Sequence, residues 1–78
     1  MRILYTKTAC PYCRRVINKL HNIGIDFEVR NIGNGNNLQE MVDRGGKKQV
    51  PFWVDDENKV IMYETKDILT YLEKRYGK

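Results

Sequence analysis

The fold is decided between residues 2 and 24, where the chain has the sequence RILYTKTACPYCRRVINKLHNIG. Residues 2–6 are apolar, β-branched or aromatic, a composition typical of a strand. After a short break, Pro11 suits the first position of a helix, where its missing N–H costs no hydrogen bond. Gly24 suits the left-handed cap that ends such a helix. One face of this helix is apolar, with the spacing i, i+1, i+4 and i+7, at Val16, Ile17, Leu20 and Ile23.

The next part of the chain predicts a second strand and a second helix. Residues 26–30 alternate polar and apolar side chains, as a half-buried strand does. Residues 31–37 are rich in Asn and Gly and predict a loop. A short helix with an apolar stripe should follow, capped by Asn36 or Asn37; its stripe consists of Leu38, Met41 and Val42.

The last part predicts an antiparallel hairpin and a final helix. Residues 52–54 and 59–63 form two strand-like runs joined by a short polar turn. A helix should run from about residue 65 to residue 76, with Thr65 as its cap. The predicted order is β-α-β-α-β-β-α, and its first β-α-β unit should bring two parallel strands together.

Composition and length limit the class of protein. The chain has 78 residues, of which 41% are hydrophobic, so a single domain over residues 1–78 is expected. It contains no apolar run long enough to cross a membrane, and its N-terminus lacks the features of a signal peptide. Two cysteines are too few to staple a small secreted domain. These features predict a cytoplasmic protein.

The formal net charge is +4, yet the basic residues are spread along the chain. Short doublets occur, as at Arg14-Arg15 and Lys47-Lys48, but there is no run of five or six basic residues and no basic–aromatic interleaving. This pattern is typical of a solvated surface and does not predict nucleic-acid binding. A modest positive bias would still favour a small anionic substrate.

Two cysteines in the motif Cys10-Pro11-Tyr12-Cys13 carry the predicted chemistry. The thiolate is the nucleophile in disulfide exchange, and the N-terminus of a helix favours negative charge at Cys10. Lys7, three residues upstream, would add positive charge. Cys13 lies about one helical turn further on, within reach of Cys10. The motif therefore predicts a redox pair in which Cys10 attacks and Cys13 resolves.

Two other roles for the cysteine pair are possible. A structural disulfide is disfavoured because so short a loop constrains the unfolded chain little. A zinc site would need two more ligands, and His21 lies about 12 Å beyond Cys13 at ~1.5 Å per helical residue. Carboxylate ligands stay open, but no metal is expected. The position of C-x-x-C after a strand and before a helix favours redox chemistry.

Residues 4–15, with the sequence LYTKTACPYCRR, resemble the active-site segment of glutaredoxins, whose dithiol motif is Cys-Pro-Tyr-Cys. The size, the element order and the Val-Pro pair before the third strand fit as well. The resemblance implies an α/β fold of the thioredoxin-like (glutaredoxin) type, with a four-stranded mixed sheet and helices on both faces. It also implies a glutathione-dependent thiol–disulfide oxidoreductase, with glutathione as co-substrate and no permanently bound cofactor.

The resemblance further implies a glutathione site. Lys7 would bind a carboxylate of the tripeptide, and Tyr12 would flank it. The family has Thr-Val-Pro with a cis proline where this chain has Gln49-Val50-Pro51. The backbone of Val50 would then pair with the cysteinyl part of glutathione. Gln49 replaces the usual threonine and retains a donor for a carboxylate.

A second departure concerns the γ-glutamyl end of glutathione. Many glutaredoxins have a Gly-Gly-Cys/Thr-Asp segment after the last strand, whereas this chain has Glu64-Thr65. That pair is similar to the Glu-Ser pair of the glutathione transferase N-terminal domain. Glu64 would accept the γ-glutamyl ammonium, while Thr65 and the helix N-terminus would bind its carboxylate.

Three functions remain open at this point. The first is a monomeric enzyme that reduces glutathione mixed disulfides and protein disulfides, with glutathionylated or disulfide-containing proteins as partners. The second is a redoxin reduced by a flavoprotein. The third is a binding module, either a [2Fe–2S] carrier, against which Pro11 counts, or a transferase-like domain without turnover.

Overall fold

A computed structural model describes residues 1–77, so Lys78 of the predicted domain lies outside the described residues. The elements follow the predicted order. The strands are β1 (Arg2–Thr6), β2 (Glu28–Asn31), β3 (Phe52–Asp55) and β4 (Val60–Met62). The helices are α1 (Pro11–Ile23), α2 (Asn37–Gly45) and α3 (Thr65–Tyr76). Within the described residues, no helix is long and apolar enough to cross a membrane.

The ends of α1 form where the sequence predicts them. Pro11 is in the first turn, and Cys10 is the N-cap with extended backbone angles (φ −96°, ψ 111°). At the other end Gly24 adopts the left-handed conformation (φ 84°), and its N–H donates to the carbonyl of Leu20 at 3.0 Å. A side chain there would be strained, which explains the glycine.

Several local predictions were wrong by small margins. β2 begins at Glu28 instead of residue 26, because parallel pairing with β1 begins at Ile3 opposite Glu28. β4 is Val60–Met62 instead of residues 59–63. The N-cap of α3 is Glu64, so Thr65 is the first helical residue and not the cap. The N-cap of α2 is Asn36, one of the two predicted caps, although its side chain makes no capping hydrogen bond.

The sheet has the strand order β2-β1-β3-β4. β1 pairs in parallel with β2 and antiparallel with β3, and β3 pairs antiparallel with β4. The register of the central pair sets Tyr5 opposite Phe52. Pro51 directly precedes Phe52, and Thr6 directly follows Tyr5 and ends β1, so the loop to Cys10 begins at the end of the sheet where β3 starts.

Helices cover both faces of the sheet, as predicted. On one face α1 and α3 pack over a core of Leu4, Val16, Leu20, Trp53, Ile68 and Leu72. On the other face α2 packs over Ile3, Tyr5, Met41, Phe52 and Val54. Because β1 and β3 are buried on both sides, their alternate residues contribute to both cores.

A buried carboxylate fastens α3 to the sheet at the end remote from Cys10. Asp55 is fully buried and accepts hydrogen bonds from the hydroxyl groups of Tyr71, at 3.0 Å, and Tyr76, and from the side-chain amide of Asn58, at 3.0 Å. Burial raises the pKa of Asp55, but hydrogen bonds from Tyr76, Asn58 and Tyr71 outweigh it and leave the pKa below its ordinary value of 3.8. The carboxylate is thus the stable form.

Replacing Asp55 with asparagine should destabilise the fold, because charge-assisted hydrogen bonds are lost in a buried place. We expect Asp55→Asn to lower the free energy of unfolding by about 2 kcal/mol at pH 7, measured by urea denaturation. Since the native pKa of Asp55 is lowered, this contribution is present above pH 3.8 and is lost as the pH falls through the native pKa. The difference from wild type should therefore shrink in acid.

Asp56→Asn provides the matched control for that experiment. Asp56 is exposed and forms only a surface ion pair with Arg44 at 3.5 Å. The same chemical change there should shift the free energy of unfolding by less than about 0.5 kcal/mol. Equal stability of the two variants at pH 7 would contradict the role of Asp55.

Candidate functional site

Cys10 lies at the N-terminus of α1, directly after a residue with a strained backbone conformation. Ala9 has a positive φ of 62°, which is uncommon for a non-glycine residue. The N–H of Cys13 donates to the Sγ atom of Cys10 at 3.3 Å. A backbone donor and the positive end of a helix dipole therefore meet at this sulfur, an arrangement that stabilises negative charge. Both cysteines are free thiols, and Cys10 is half-buried.

Cys13 differs from Cys10 in its environment. Its residue is only 2% exposed. Burial raises the pKa of Cys13 to about 12, and the hydrogen bond with Cys10 and the charge of that neighbour act in the same direction. The partly exposed thiol at the helix start and the buried thiol below it are therefore chemically unequal. Among residues 1–77, no group of three or more His, Cys, Asp or Glu side chains could hold a metal ion.

Cys10 lines an open cleft of about 390 Å³ beside α1. Two cationic side chains line the same cleft, Lys7 from the loop after β1 and Arg14 from the first turns of α1. Neither of them forms an ion pair with another described residue. The surroundings of the thiol are therefore positive, which suits a thiolate and an anionic substrate.

A second open cleft of about 400 Å³ gathers most of the predicted glutathione site. The residues that line it come from the start of α1, the segment before β3 and the start of α3: Tyr12, Gln49, Val50, Pro51, Tyr63, Glu64, Thr65 and Lys66. The peptide bond between Val50 and Pro51 is cis, as the resemblance implied. Gln49 donates from its amide to the Glu64 carboxylate at 3.2 Å, so two predicted ligands contact each other.

The residues predicted to bind glutathione lie in separate clefts around the start of α1. Tyr12, which is 58% exposed, lines the second cleft, whereas Arg14 lines the first. Two residues correspond to about 200° around a helix, so these side chains point in nearly opposite directions. Lys7 lines the cleft of Cys10 and a neighbouring one with Lys48, and it does not line the second cleft.

Tyr63 and Lys66 line the second cleft but were not among the site residues predicted from the sequence. Lys66 could have been recognised as a candidate from the sequence, because a cation in the first turn of a helix interacts unfavourably with the helix dipole. Tyr63 could not have been recognised in this way, since a tyrosine at the end of a strand is typical of a sheet surface.

The fold and the Cys-x-x-Cys pair at a strand-to-helix turn define a thioredoxin-like domain. A family model described as "Glutathione S-transferase, N-terminal domain" matches residues 4–78. The chain therefore belongs to the family of glutathione S-transferase N-terminal domains.

Individual relatives include glutaredoxins. The chain is 41% identical over 49 residues to glutaredoxin 3 of Escherichia coli K12, a stretch covering 62% of this chain and 59% of that protein. It therefore spans less than two thirds of the length of the curated relatives that it matches. The resemblance to glutaredoxins drawn from the residues is confirmed over this part of the chain.

Solved structures support the fold. Glutathione S-transferase isozyme E7 of Drosophila melanogaster superposes with a TM-score of 0.81 at 26% identity, covering 100% of this chain and 36% of that chain. The thioredoxin-like protein BC3987 superposes with a TM-score of 0.77 at 18% identity, covering 92% of this chain and 99% of that chain. The predicted fold class is thereby confirmed.

The inequality of the two thiols predicts selective alkylation. Iodoacetamide at pH 7 should add one label to the native reduced protein, on Cys10, because Cys13 is buried and its pKa is raised to about 12. Intact-mass and peptide analysis would locate the label. The Cys10→Ser variant should stay unlabelled when native and take one label in guanidinium. Rapid labelling of native Cys13 would refute the assignment.

Proposed function

We propose that this chain is a glutathione-dependent thiol–disulfide oxidoreductase that reduces glutathione mixed disulfides and protein disulfides. The observation that carries the proposal is the arrangement of the two cysteines. The Cys10 sulfur accepts the N–H of Cys13 at the start of α1, while the Cys13 thiol lies buried beneath it with a raised pKa. A stabilised, accessible thiolate beside a protected thiol is what disulfide exchange requires.

In the first step, the Cys10 thiolate attacks the glutathione sulfur of a mixed disulfide. A bond forms between Cys10 and glutathione, the original disulfide bond breaks, and the target leaves as a thiolate that takes a proton from water. The thiolate of a second glutathione then attacks the glutathione sulfur bound to Cys10. Oxidised glutathione leaves, and the Cys10 thiolate is restored. One free glutathione thus reduces one mixed disulfide in a complete cycle, and the glutathionyl group of the substrate becomes the other half of oxidised glutathione.

Protein disulfides require Cys13 as well. Cys10 first forms a mixed disulfide with the target, and this removes the negative charge that helps to hold Cys13 protonated. The Cys13 thiol then loses its proton and attacks Cys10, so that the target leaves reduced and an internal disulfide remains. Two glutathione molecules reduce that disulfide. Burial still restrains Cys13 throughout, so it reacts only with its neighbour.

Glutathione itself would occupy the second cleft. In the proposal, Glu64 accepts the γ-glutamyl ammonium, and Thr65 with the N-terminus of α3 binds the γ-glutamyl carboxylate. Val50 pairs through its backbone with the cysteinyl residue, next to the cis Pro51. Gln49 already donates to Glu64, which suits a positioning role as well as the predicted direct contact.

The remaining contacts of glutathione would lie around the start of α1. Tyr12 flanks the tripeptide from its exposed position on the rim of the second cleft. Lys7 attracts a carboxylate from the cleft of Cys10. The proposal includes a monomer that acts in the cytoplasm, with residues 1–78 as one catalytic domain and glutathione as co-substrate.

The two cysteines should respond differently to substitution. Cys10→Ser should abolish turnover of a glutathionylated peptide when glutathione is the only reductant, because the remaining thiol, Cys13, is buried and out of reach of the substrate. Cys13→Ser should retain that turnover and lose reduction of a protein disulfide. Release of oxidised glutathione, coupled to glutathione reductase and NADPH, measures both. Loss of deglutathionylation in Cys13→Ser would falsify the one-thiol step.

Glu64 should contribute to substrate binding and not to the chemical step. Glu64→Gln should raise KM for the glutathionylated peptide about tenfold while kcat stays within about twofold, because it removes binding common to ground and transition states. Glu57→Gln is a matched control, since Glu57 forms only an exposed ion pair with Arg2 at 2.7 Å. An unchanged KM in Glu64→Gln would remove this residue from the site.

A transferase-type domain is the second candidate, favoured by the match over residues 4–78 to the transferase family model. In that chemistry the glutathione thiolate attacks an electrophile, and Cys10 forms no bond. Activity towards 1-chloro-2,4-dinitrobenzene that survives Cys10→Ser, without turnover of glutathionylated peptide by the wild type, would favour this candidate over the first.

A further inference from the structure

The hydroxyl group of Tyr63 is bound on both sides to the backbone of a single residue. It donates to the carbonyl oxygen of Lys47 at 2.8 Å and accepts from the N–H of Lys47 at 3.0 Å. Lys47 belongs to the irregular segment between α2 and β3, in which turn hydrogen bonds are few. A paired donor and acceptor therefore fix the two peptide groups on either side of the Lys47 Cα atom.

The aromatic ring of Tyr63 is itself held in place. It stacks on Phe52, with centroids 4.3 Å apart and planes at 24°, and the Lys47 ammonium lies 5.7 Å from its centre. Gly45, at the end of α2, leaves the space that the hydroxyl occupies, because a Cβ there would lie 2.1 Å from the Tyr63 oxygen. The hydroxyl thus has one position available to it.

This contact connects the residues that precede the two walls of the second cleft. One wall is formed by Gln49, Val50 and Pro51, which follow the clamped Lys47. The other wall is the start of α3, and Glu64 directly follows Tyr63. Gln49 connects the walls directly by its hydrogen bond to Glu64. Tyr63 also lines the cleft, whereas Lys47 does not.

We propose that Tyr63 is a positioning residue that presets the backbone of segment 47–51 for glutathione, an inference that rests on the proposed function. Without the hydroxyl, glutathione would have to order this segment when it binds. The free-energy cost of ordering the segment would reduce the net free energy of binding. Binding should weaken, while the reactivity of Cys10, which is delivered by another loop, should remain.

Tyr63→Phe removes the hydroxyl and keeps the ring on Phe52. Tyr5→Phe is the matched control: the Tyr5 ring also packs against Phe52, at 5.6 Å, and its hydroxyl donates to Glu40 at 3.0 Å, away from both clefts. Each variant loses one hydroxyl from the same aromatic cluster. Their thermal unfolding midpoints should therefore fall together, whereas only Tyr63→Phe should affect the ligand.

For Tyr63→Phe we expect hydrogen exchange at the Lys47 amide to accelerate and the Kd of S-methylglutathione, by calorimetry, to rise, each about five- to tenfold. KM for glutathionylated peptide should rise in parallel, with kcat and the alkylation rate of Cys10 unchanged. Tyr5→Phe should match wild type in all five quantities. If Tyr63→Phe loses protection at Lys47 but keeps its Kd, or if both variants weaken binding equally, the positioning role is overturned.

Gly45→Ala provides a second, independent route to the same hydroxyl, because the added Cβ displaces it. The expected result is again a raised Kd with Cys10 alkylated at the wild-type rate, and an unchanged Kd counts against the proposal. Failure of the proposed function would look different: wild type itself would bind no S-methylglutathione and turn over no glutathionylated peptide. If wild type binds S-methylglutathione and both variants bind it with the same Kd, only the positioning role of Tyr63 is refuted.

Discussion

The antiparallel pairing of β1 with β3 is the constraint on which the rest of the molecule depends. Both strands lie in the middle of the sheet and are buried on both faces. Their register sets Tyr5 opposite Phe52, so the loop that leaves β1 towards Cys10 and the segment that enters β3 through Pro51 meet at one end of the sheet. A shift of the register by one residue would turn the core side chains of the shifted strand to the opposite face of the sheet. The loop to Cys10 and the segment that contains Pro51 would then no longer meet in the same way.

Helix α1 makes the two cysteines unequal through its position on this sheet. Cys10 is the N-cap of this helix and is only half-buried, so its sulfur meets the unpaired N–H groups of the helix start. Cys13 lies on the buried side of the same turn, above the core, and burial raises its pKa. One helical turn thus supplies both an attacking thiol and a protected thiol. Tyr12 and Arg14 are two residues apart in α1, so they point to different sides of the helix. Each of them therefore lines a different cleft.

Charge is distributed differently in these clefts. The cleft of Cys10 has Lys7 and Arg14, whereas the second cleft combines Glu64 with Lys66 at the start of α3. A zwitterionic γ-glutamyl group matches the second pattern, because it presents an ammonium and a carboxylate side by side. Remote from both, the buried Asp55 fastens the C-terminal half of α3 to the sheet by hydrogen bonds from Tyr71 and Tyr76.

Sequence analysis predicted most of the fold, because strand and helix patterns here are local and strongly marked. Pro11 and Gly24 delimit α1 by backbone chemistry that each residue carries with it. The predicted start of β2 was wrong because a strand begins where it starts to pair with its neighbour. That neighbour is β1, so residues 26–30 alone do not specify the first residue of β2. The role of Thr65 as a cap was wrong for a similar reason, since the chain path after β4 determines which residue enters the helix.

The sequence by itself determined the order of the elements, the location of Cys10 at a strand-to-helix turn and six of the eight residues that line the second cleft. These follow from hydrophobic periodicity, from proline and glycine backbone preferences, and from the resemblance to glutaredoxins. Only the tertiary structure decided that Lys7 lies apart from Gln49 and Glu64, and that Tyr63 holds Lys47. Such contacts join segments distant in sequence, and their geometry depends on strand register and helix phase, which no local pattern contains.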